Sequence, residues 1–281
     1  MPPLPRRELR NIVRKLGVNA RVAQQRQALV TLAGLCRDGS IADRRDIAAA
    51  GAIPALVQLL ESGRPAEVQL AAAATLGHLA RTEETAVYIA ASGAIPPLVQ
   101  LLEAGSSNVQ KTAAGALVGL SVTAEIAVAI AAAGAVPPLV QLLEPGRQAW
   151  VQHNAAAALG FLGRDPENAV TIAAAGAIPP LVQLLGRGSP AEVRTKAAGA
   201  LGNLARIAEI AVTIAAAGAI PPLVQLLGRG SPVEAQTRAA HALRRLGNGN
   251  AKIRADIAAA GAIANLLQEM RGLGIDSPAD Q

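Results

Sequence analysis

The ten residues GAIPPLVQLL at positions 176–185 recur along this sequence with little change. A more distant version, GAIANLLQEM, begins at Gly261. The other copies begin at Gly51, Gly93, Gly134 and Gly218. Successive copies are 42, 41, 42, 42 and 43 residues apart. This even spacing indicates a repeat protein, and the period is longer than that of tetratricopeptide, ankyrin or leucine-rich repeats.

The first half of each unit predicts two short helices. The segment PENAVTIAAA (166–175) has the composition of a first helix, and Gly176 follows it where a left-handed residue is needed. Pro179 and Pro180 are tolerated only in the first turn of a helix, so they open the second helix. The second helix then runs through the apolar LVQLL.

A third helix is predicted to begin at a capping box. In Ser189-Pro-Ala-Glu192, Ser189 is expected at the N-cap, Pro190 at N1 and Glu192 at N3. The same start occurs at 231–234. The helix continues as VRTKAAGALGNLAR, in which small Ala and Gly residues let neighbouring repeats approach closely.

The composition agrees with a helical core. Hydrophobic residues make up 51% of the 281 residues, but aromatic residues make up only 1%. Ala, Leu, Val and Ile suit closely packed helices better than a sheet, which favours aromatic and β-branched residues. Cys36 is the single cysteine, which excludes an internal disulfide framework. We expect it to be a small buried residue near the N-terminus.

No targeting segment or membrane span is expected. The start, MPPLPRR, lacks the apolar core of a signal peptide, and Pro2 excludes N-myristoylation. The apolar stretch 210–228 contains Gly218 and the pair Pro221-Pro222, and it has close copies elsewhere in the chain. Together with the single cysteine, these features predict a cytoplasmic or nuclear protein.

The motif GAIPPLVQLL followed by EVRTKAAGALGNLAR (192–206) resembles the armadillo repeat. The rival HEAT unit has two helices and normally lacks the Gly-Ala-Ile-Pro hinge. The resemblance covers nearly the whole chain and implies an all-α fold. It would be a right-handed α-solenoid with three helices in each repeat of about 42 residues. We expect a monomer.

The resemblance also divides the chain. Residues 39–248 would form five full repeats, between an N-terminal capping partial repeat at 1–38 and a C-terminal one at 249–273. Residues 274–281 would be a flexible tail. The C-terminal cap is expected to hold a first and a second helix, with polar Asn265, Glu269 and Arg271 where other units are apolar. Polar outer faces prevent end-to-end association.

Armadillo proteins commonly bind an extended peptide in a concave groove that their third helices line. The resemblance implies an Asn near the end of each third helix and, in the importin-α-like subgroup, a Trp four residues earlier. Only Asn203 keeps the Asn; the equivalent places hold Gly34, His78, Gly119, Phe161 and Arg245. The Trp places hold Val30, Ala74, Gly115, Ala157, Gly199 and His241. The row of Trp and Asn residues, which we call the ladder, is therefore essentially lost.

Other residues replace the ladder. Positions i, i+4, i+7 and i+11 share one face of a helix. In the third full repeat this face holds the only Trp and the only Phe of the chain, Trp150 and Phe161. The predicted binding residues in and around the groove are Trp150, Asn154, Phe161, Lys196, Asn203, Arg238, His241, Arg245 and His78. Arg206 and Arg194 could add to the basic end, whereas Glu192 and Glu234 are expected to act in capping.

These residues predict a scaffold whose groove binds a peptide of a partner protein. An aromatic centre and a basic C-terminal half favour an apolar anchor with acidic or phosphorylated residues near it. The alternatives are that the two rings fill core gaps and that the charged face is only solvated. A transport adaptor for basic cargo, a substrate-recognition fragment of a larger protein such as a U-box ubiquitin ligase, and a stable scaffold without an evolved ligand also remain open.

The N-terminal region is strongly basic. Residues 1–45 contain ten Arg or Lys and three acidic residues, a balance of +7, within a chain of net charge +6. The competing interpretations are a solvated capping face, a contact with an acidic protein, nucleic acid or anionic membrane, and a nuclear-localisation signal. No aromatic residues alternate with these charges, so nucleic-acid binding by stacking is not expected.

No catalytic motif is present. The sequence has no CxxC, HExxH, GxSxG or P-loop pattern. His78, His153 and His241 fall in third helices of different repeats, too far apart to share a metal or a triad. The sequence therefore predicts neither an enzyme nor a protein with a metal or cofactor.

Overall fold

The computed structural model describes residues 5–17, 19–228 and 230–272, with side chains up to 261. Within these ranges all regular structure is helical, and five three-helix units follow one another. The first helices are α3 (Ile41–Ala49), α6 (Glu83–Ala91), α9 (Ala124–Ala132), α12 (Pro166–Ala174) and α15 (Ala208–Ala216). The second helices are α4 (Ala52–Gln58), α7 (Ile95–Ala104), α10 (Val136–Gln141), α13 (Ile178–Gln183) and α16 (Ile220–Leu226). The third helices are α5 (Ala66–Leu79), α8 (Ser107–Leu120), α11 (Ala149–Leu162), α14 (Ala191–Leu204) and α17 (Val233–Leu246).

The hinge between the first and second helices has the predicted geometry. Gly176 follows α12 with φ +80°, which a residue with a Cβ rarely adopts. Its counterparts in the other four units, Gly51, Gly93, Gly134 and Gly218, have φ between +81° and +85°. Proline occupies the first turn of α13, where its missing N–H leaves no helical bond unmade. The same turn therefore recurs in every full repeat.

The predicted capping box at the start of the third helix is wrong. Helix α14 begins at Ala191, and its N-cap is Pro190, with no side-chain cap. The φ and ψ of Pro190, −57° and 153°, hold it outside the helix, so Glu192 stands at N2 rather than N3. Helix α17 starts in the same way after Pro232, so Glu192 and Glu234 are free for other contacts.

Side-chain caps occur on the first helices instead. Ser40 and Asp43 form a capping box, in which Asp43 Oδ2 accepts from the Ser40 amide at 2.7 Å. In three of the following repeats a single side chain accepts from the N3 amide. These caps are Thr82, Thr123 and Asp165. The short first helices are thereby fixed at their N-terminal ends.

Successive third helices pack closely against each other, from α5 through α17. A Cβ added to Gly77 would lie 3.1 Å from Ala116 Cα, and one added to Gly160 would lie 3.2 Å from Ala200 Cα. Contacts this short leave no room for a side chain because the neighbouring atom belongs to the backbone. The small residues of the third helices thus set the distance between repeats, as the sequence predicts.

The N-terminal end has two helices, α1 (Arg6–Arg14) and α2 (Val22–Asp38). Helix α2 packs on α5 in the place of a third helix. Cys36 is fully buried in this region, which confirms its predicted role. Its carbonyl oxygen accepts from Arg44 Nε at 2.8 Å, which ties α2 to α3.

At the C-terminal end the expected helix pair is one continuous helix, α18 (Ala251–Gly272). The sequence GAIAN has no proline after Gly261, so nothing removes a helical hydrogen bond there. The side chains of Asn265, Glu269 and Arg271 lie outside the described part of the chain, as does the predicted tail at 274–281.

Among the described helices, none is by itself long and apolar enough to cross a membrane. Two pairs meet the length and composition requirements only together, and each is sharply bent. These are Glu83–Ala91 with Ile95–Ala104, at 79°, and Ala208–Ala216 with Ile220–Leu226, at 87°.

Candidate functional site

The candidate site is the outward side of the third helices and of α2, which we call the third-helix surface. It consists of the positions equivalent to Trp150, Asn154, Ala157 and Phe161 in α2, α5, α8, α11, α14 and α17. The last of these positions is half-buried in all six helices, whether it holds Gly, His, Phe, Asn or Arg. A ligand lying across the row would meet a different side chain in four of the helices and glycine in the other two.

Trp150 begins the surface in α11. Its side chain is half-buried and packs partly on the core, while Lys111 Nζ lies 4.9 Å from the ring centroid. One helical turn later, Asn154 Nδ2 donates to the Lys111 carbonyl oxygen at 3.2 Å. The Trp150 ring therefore packs against the core on one side. On its other side it forms a cation–π contact with Lys111 of the preceding repeat.

Phe161 lies at the other end of α11, about 16 Å from Trp150 along the helix axis. The guanidinium carbon of Arg164 lies 4.3 Å from the centroid of the Phe161 ring. The two aromatic side chains do not form one cluster. Instead, each ring is paired with a cation.

Asn203 of α14 links three consecutive repeats. Its Nδ2 donates to the Gly160 carbonyl oxygen at 2.7 Å, and its Oδ1 accepts from Arg245 Nη1 at 2.7 Å. The same Arg245 nitrogen donates to the Gly202 carbonyl oxygen at 2.8 Å. The family resemblance implies that the Asn203 amide binds a ligand. In the structure this amide forms its hydrogen bonds within the protein, where it orients Arg245.

Lys196 and Arg238 share one carboxylate. Glu234 Oε1 lies 3.3 Å from Lys196 Nζ and 3.7 Å from Arg238 Nη2. Because all three side chains are partly exposed, these ion pairs contribute little to stability. They do reduce the positive charge that Lys196 and Arg238 present to a ligand.

A cavity of about 200 Å³ opens on the surface between α14 and α17. We call it the arginine pocket. Its lining residues are Arg164, Gly199, Gly202, Asn203, Arg206, Arg238, His241 and Arg245. It brings together four of the predicted binding residues, namely Asn203, Arg238, His241 and Arg245. Lys196 pairs with Glu234 beside it, and Trp150, Asn154 and His78 lie elsewhere on the third-helix surface.

Arg245 lies at the centre of the positive charge. Burial, and then the charges of Arg206, Arg244 and Arg164, lower the pKa of Arg245. No acidic side chain is among the charges that act on it in the described part of the chain. The pocket therefore concentrates the like charges of Arg164, Arg206 and Arg245, which form no ion pair among the described residues.

Sequence reasoning missed Arg164. It stands two residues beyond the end of α11, as Arg206 does beyond α14 and Arg81 beyond α5. This repeated position is the signal that could have identified it. Arg194, expected to join the same basic end, lies in the first turns of α14, away from the pocket, and its Nε is buried without a hydrogen-bond partner.

Burial is the main influence on three further titratable side chains, which lie away from the arginine pocket. Burial is the largest cause that lowers the pKa of His78 and of His153, and it raises the pKa of the Cys36 thiol to about 12. Among the described residues, no three His, Cys, Asp or Glu side chains lie close enough to hold a metal ion. The described residues thus form an outward surface with one cationic pocket.

Comparison with protein families identifies repeats of one type. The family model described as Armadillo/beta-catenin-like repeat matches residues 42–81, 82–122 and 165–206. These stretches correspond to the first, second and fourth full repeats. A search of curated protein sequences found no match.

Several solved structures that are similar to this chain are engineered proteins. One engineered protein is 34% identical, with a TM-score of 0.79 over 86% of this chain and 97% of its own. A designed armadillo repeat protein is 30% identical, with a TM-score of 0.78 over 85% and 100%. Another, in complex with the peptide (KR)4, is 30% identical, with a TM-score of 0.76 over 85% and 100%. By its repeats, its fold and these similarities, the chain belongs to the armadillo repeat family.

Proposed function

We propose that this protein is a non-catalytic scaffold whose third-helix surface binds an extended peptide segment of a partner protein. The observation that carries the proposal is the arginine pocket, which collects outward side chains from three successive repeats at one place on that surface. We further propose that the protein acts as a monomer in the cytoplasm or nucleus.

The similar designed proteins support a peptide ligand. One of them is a complex with a peptide, and another was designed for modular peptide recognition. Neighbouring helices pack about 10 Å apart, so the six helices of the surface span roughly 50 Å. A chain in extended conformation would place about 15 residues along that length.

The charge of the surface indicates the chemistry of the peptide. Arg164, Arg206 and Arg245 face the pocket, so a basic peptide such as (KR)4 would meet like charges there. An acidic or phosphorylated segment would be attracted. Beside the pocket, Phe161 is half-buried and offers a contact for one apolar anchor. The transport-adaptor alternative needs a surface of the opposite charge.

A peptide-display screen tests the proposal. The purified chain is panned against three 15-residue libraries, biased to acidic, phosphorylated and basic residues. We expect enrichment of acidic or phosphorylated peptides with one apolar position. Enrichment of basic peptides would contradict the charge argument, and the absence of any enriched peptide would contradict peptide binding.

A further inference from the structure

Three of the four arginines that line the pocket are held in place by uncharged groups. The guanidinium of Arg164 stacks on the Phe161 ring, with 4.3 Å between its carbon and the ring centroid. Arg206 Nη1 donates to the Arg164 carbonyl oxygen at 3.2 Å. Arg245 Nη1 donates to the Gly202 carbonyl and the Asn203 side-chain oxygens. A ring, two backbone carbonyls and an amide orient three full positive charges without neutralising any of them.

Glu234, the carboxylate that pairs with the pocket residue Arg238, is already shared by two cations. Glu234 bridges Lys196 and Arg238, and no other ion pair in the described residues involves a pocket residue. Three guanidiniums that line one pocket repel one another. Burial, and then the charges of Arg206, Arg244 and Arg164, lower the pKa of Arg245. A bound anion would convert the repulsion into attraction. A planar guanidinium can also donate two parallel bonds to the oxygens of one phosphate group.

We propose that the arginine pocket is a recognition site for a phosphorylated side chain of the peptide ligand, bound by Arg164, Arg206 and Arg245. This inference rests on the proposed peptide-binding function. Phosphate carries nearly two negative charges and three acceptor oxygens, which suits three converging cations better than the single charge of Asp or Glu does. Phe161 acts as a positioning residue because it fixes the Arg164 guanidinium at the rim of the pocket.

The surroundings of the pocket favour a single phosphate over a nucleic-acid backbone. A nucleic-acid strand carries one charge about every 3.4 Å and needs a continuous track of cations. Along the rest of the third-helix surface, the places equivalent to Phe161 hold Gly34, His78 and Gly119. A volume of about 200 Å³ at one point fits one phosphorylated side chain.

The test uses the double variant Arg164→Gln/Arg206→Gln. Both side chains are exposed, so the variant should keep the thermal unfolding midpoint of the parent. The matched control is Arg81→Gln, which removes a charge from the same repeat position outside the pocket. Phe161→Leu keeps an apolar side chain but removes the ring that orients Arg164.

The first measurement uses inorganic phosphate alone, which makes it independent of any peptide. Titration followed by NMR of the arginine Nε–Hε signals should shift Arg245 and Arg206 with one-site saturation. The shifts should be absent in the double variant, weakened in Phe161→Leu and unchanged in Arg81→Gln. A titration that leaves these signals unmoved, or moves all arginines alike, overturns the pocket as an anion site even if peptides bind.

The second measurement compares one enriched peptide in phosphorylated and unphosphorylated forms. Phosphorylation should tighten binding by about ten- to a hundredfold in the parent, as expected for a net gain equal to one charge-assisted hydrogen bond. The double variant should lose that gain and keep the affinity for the unphosphorylated form. Equal affinity for both forms in the parent overturns the inference and leaves the peptide-binding function standing. Tighter binding of a single-stranded oligonucleotide than of the phosphopeptide also overturns it.

Discussion

In the N-terminal half of the third-helix surface, formed by α2, α5 and α8, the outward position near the end of each helix holds Gly34, His78 or Gly119. In the C-terminal half, formed by α11, α14 and α17, the same position holds Phe161, Asn203 or Arg245. The helices have the same length in five of the six cases, and the glycine hinges of the full repeats have nearly the same φ. At this position the C-terminal half therefore carries larger side chains, and two of them, Asn203 and Arg245, form hydrogen bonds between repeats.

This difference separates the residues that build the scaffold from those that give it chemistry. Buried leucines and close Gly–Ala contacts recur in both halves. Cross-repeat bonds from the outward side chains join α8 to α11, α11 to α14 and α14 to α17. We expect ligand binding to depend on the C-terminal half and stability to depend on both halves alike.

The largest expected effect is on peptide affinity. Trp150→Ala/Phe161→Ala removes both aromatic side chains of the C-terminal half, and buried aromatic contacts of an interface contribute about 2–4 kcal/mol. Isothermal titration with an enriched peptide should show a loss of about 30- to 1000-fold. The matched variant Val30→Ala/His78→Ala changes the N-terminal half and should leave affinity within a few-fold. Helicity by circular dichroism must be retained in both. Equal losses would remove the distinction between the halves.

The next effect is on the free energy of unfolding, through the packing of the third helices, and it should be the same in the two halves. Gly77→Val and Gly160→Val each place side-chain atoms against the backbone of the next third helix, at a Cβ distance of 3.1 or 3.2 Å. Overpacking of this kind reduces the free energy of unfolding by about 1–3 kcal/mol.

Gly34→Ala is the control for these substitutions. No atom lies within 4 Å of a Cβ at Gly34, and alanine favours the helix by up to about 1 kcal/mol over glycine. Urea unfolding should show destabilisation by both valine variants and stabilisation by this one. A destabilised Gly34→Ala would mean that the contacts of α2 differ from those described.

A smaller effect is expected from Glu234→Gln. Because this change frees Lys196 and Arg238 from their shared carboxylate, the affinity for an acidic peptide should rise by a few-fold at low salt. The free energy of unfolding should change by less than about 1 kcal/mol because the ion pairs are exposed. Glu67→Gln is the matched change in the N-terminal half, where Glu67 pairs with Arg26 at 3.2 Å. An equal gain in both variants would point to a general charge effect.

The smallest effect concerns pH. Burial lowers the pKa of His78 and His153 in the folded protein, so the unfolded chain binds protons at a higher pH than the folded one. Stability contributed by the neutral histidines is therefore present at pH 7 and decreases as the pH falls through the unfolded pKa of about 6.5. His78→Gln/His153→Gln should flatten this decrease in urea unfolding between pH 7 and 5. A pH profile of the double variant identical to that of the parent would contradict the assignment.

The repeat and its helices could be predicted because they depend on local chemistry. A glycine with positive φ and prolines in a first turn act within a few residues, as at Gly176 and Pro179. The capping box failed for a local reason as well, since Pro190 itself occupies the N-cap and displaces Ser189. The continuous α18 follows from the absence of proline after Gly261.

The pocket could be predicted only in part. The helical face identifies Asn203, Arg238, His241 and Arg245, because residues on one face follow a fixed spacing. Arg164 lies just beyond a helix end, where that spacing no longer applies. The cross-repeat bond from Asn203 to the Gly160 carbonyl joins residues 43 positions apart. It depends on how the helices stack, which no local pattern reveals.

The most direct test of the binding surface is an NMR map of the backbone amides on addition of a peptide from the acidic or phosphorylated library. We predict that the largest shifts cluster in α11, α14 and α17, around Phe161, Asn203 and Arg245, together with the indole N–H of Trp150. Shifts confined to the first helices, or to α2, α5 and α8, would contradict the account.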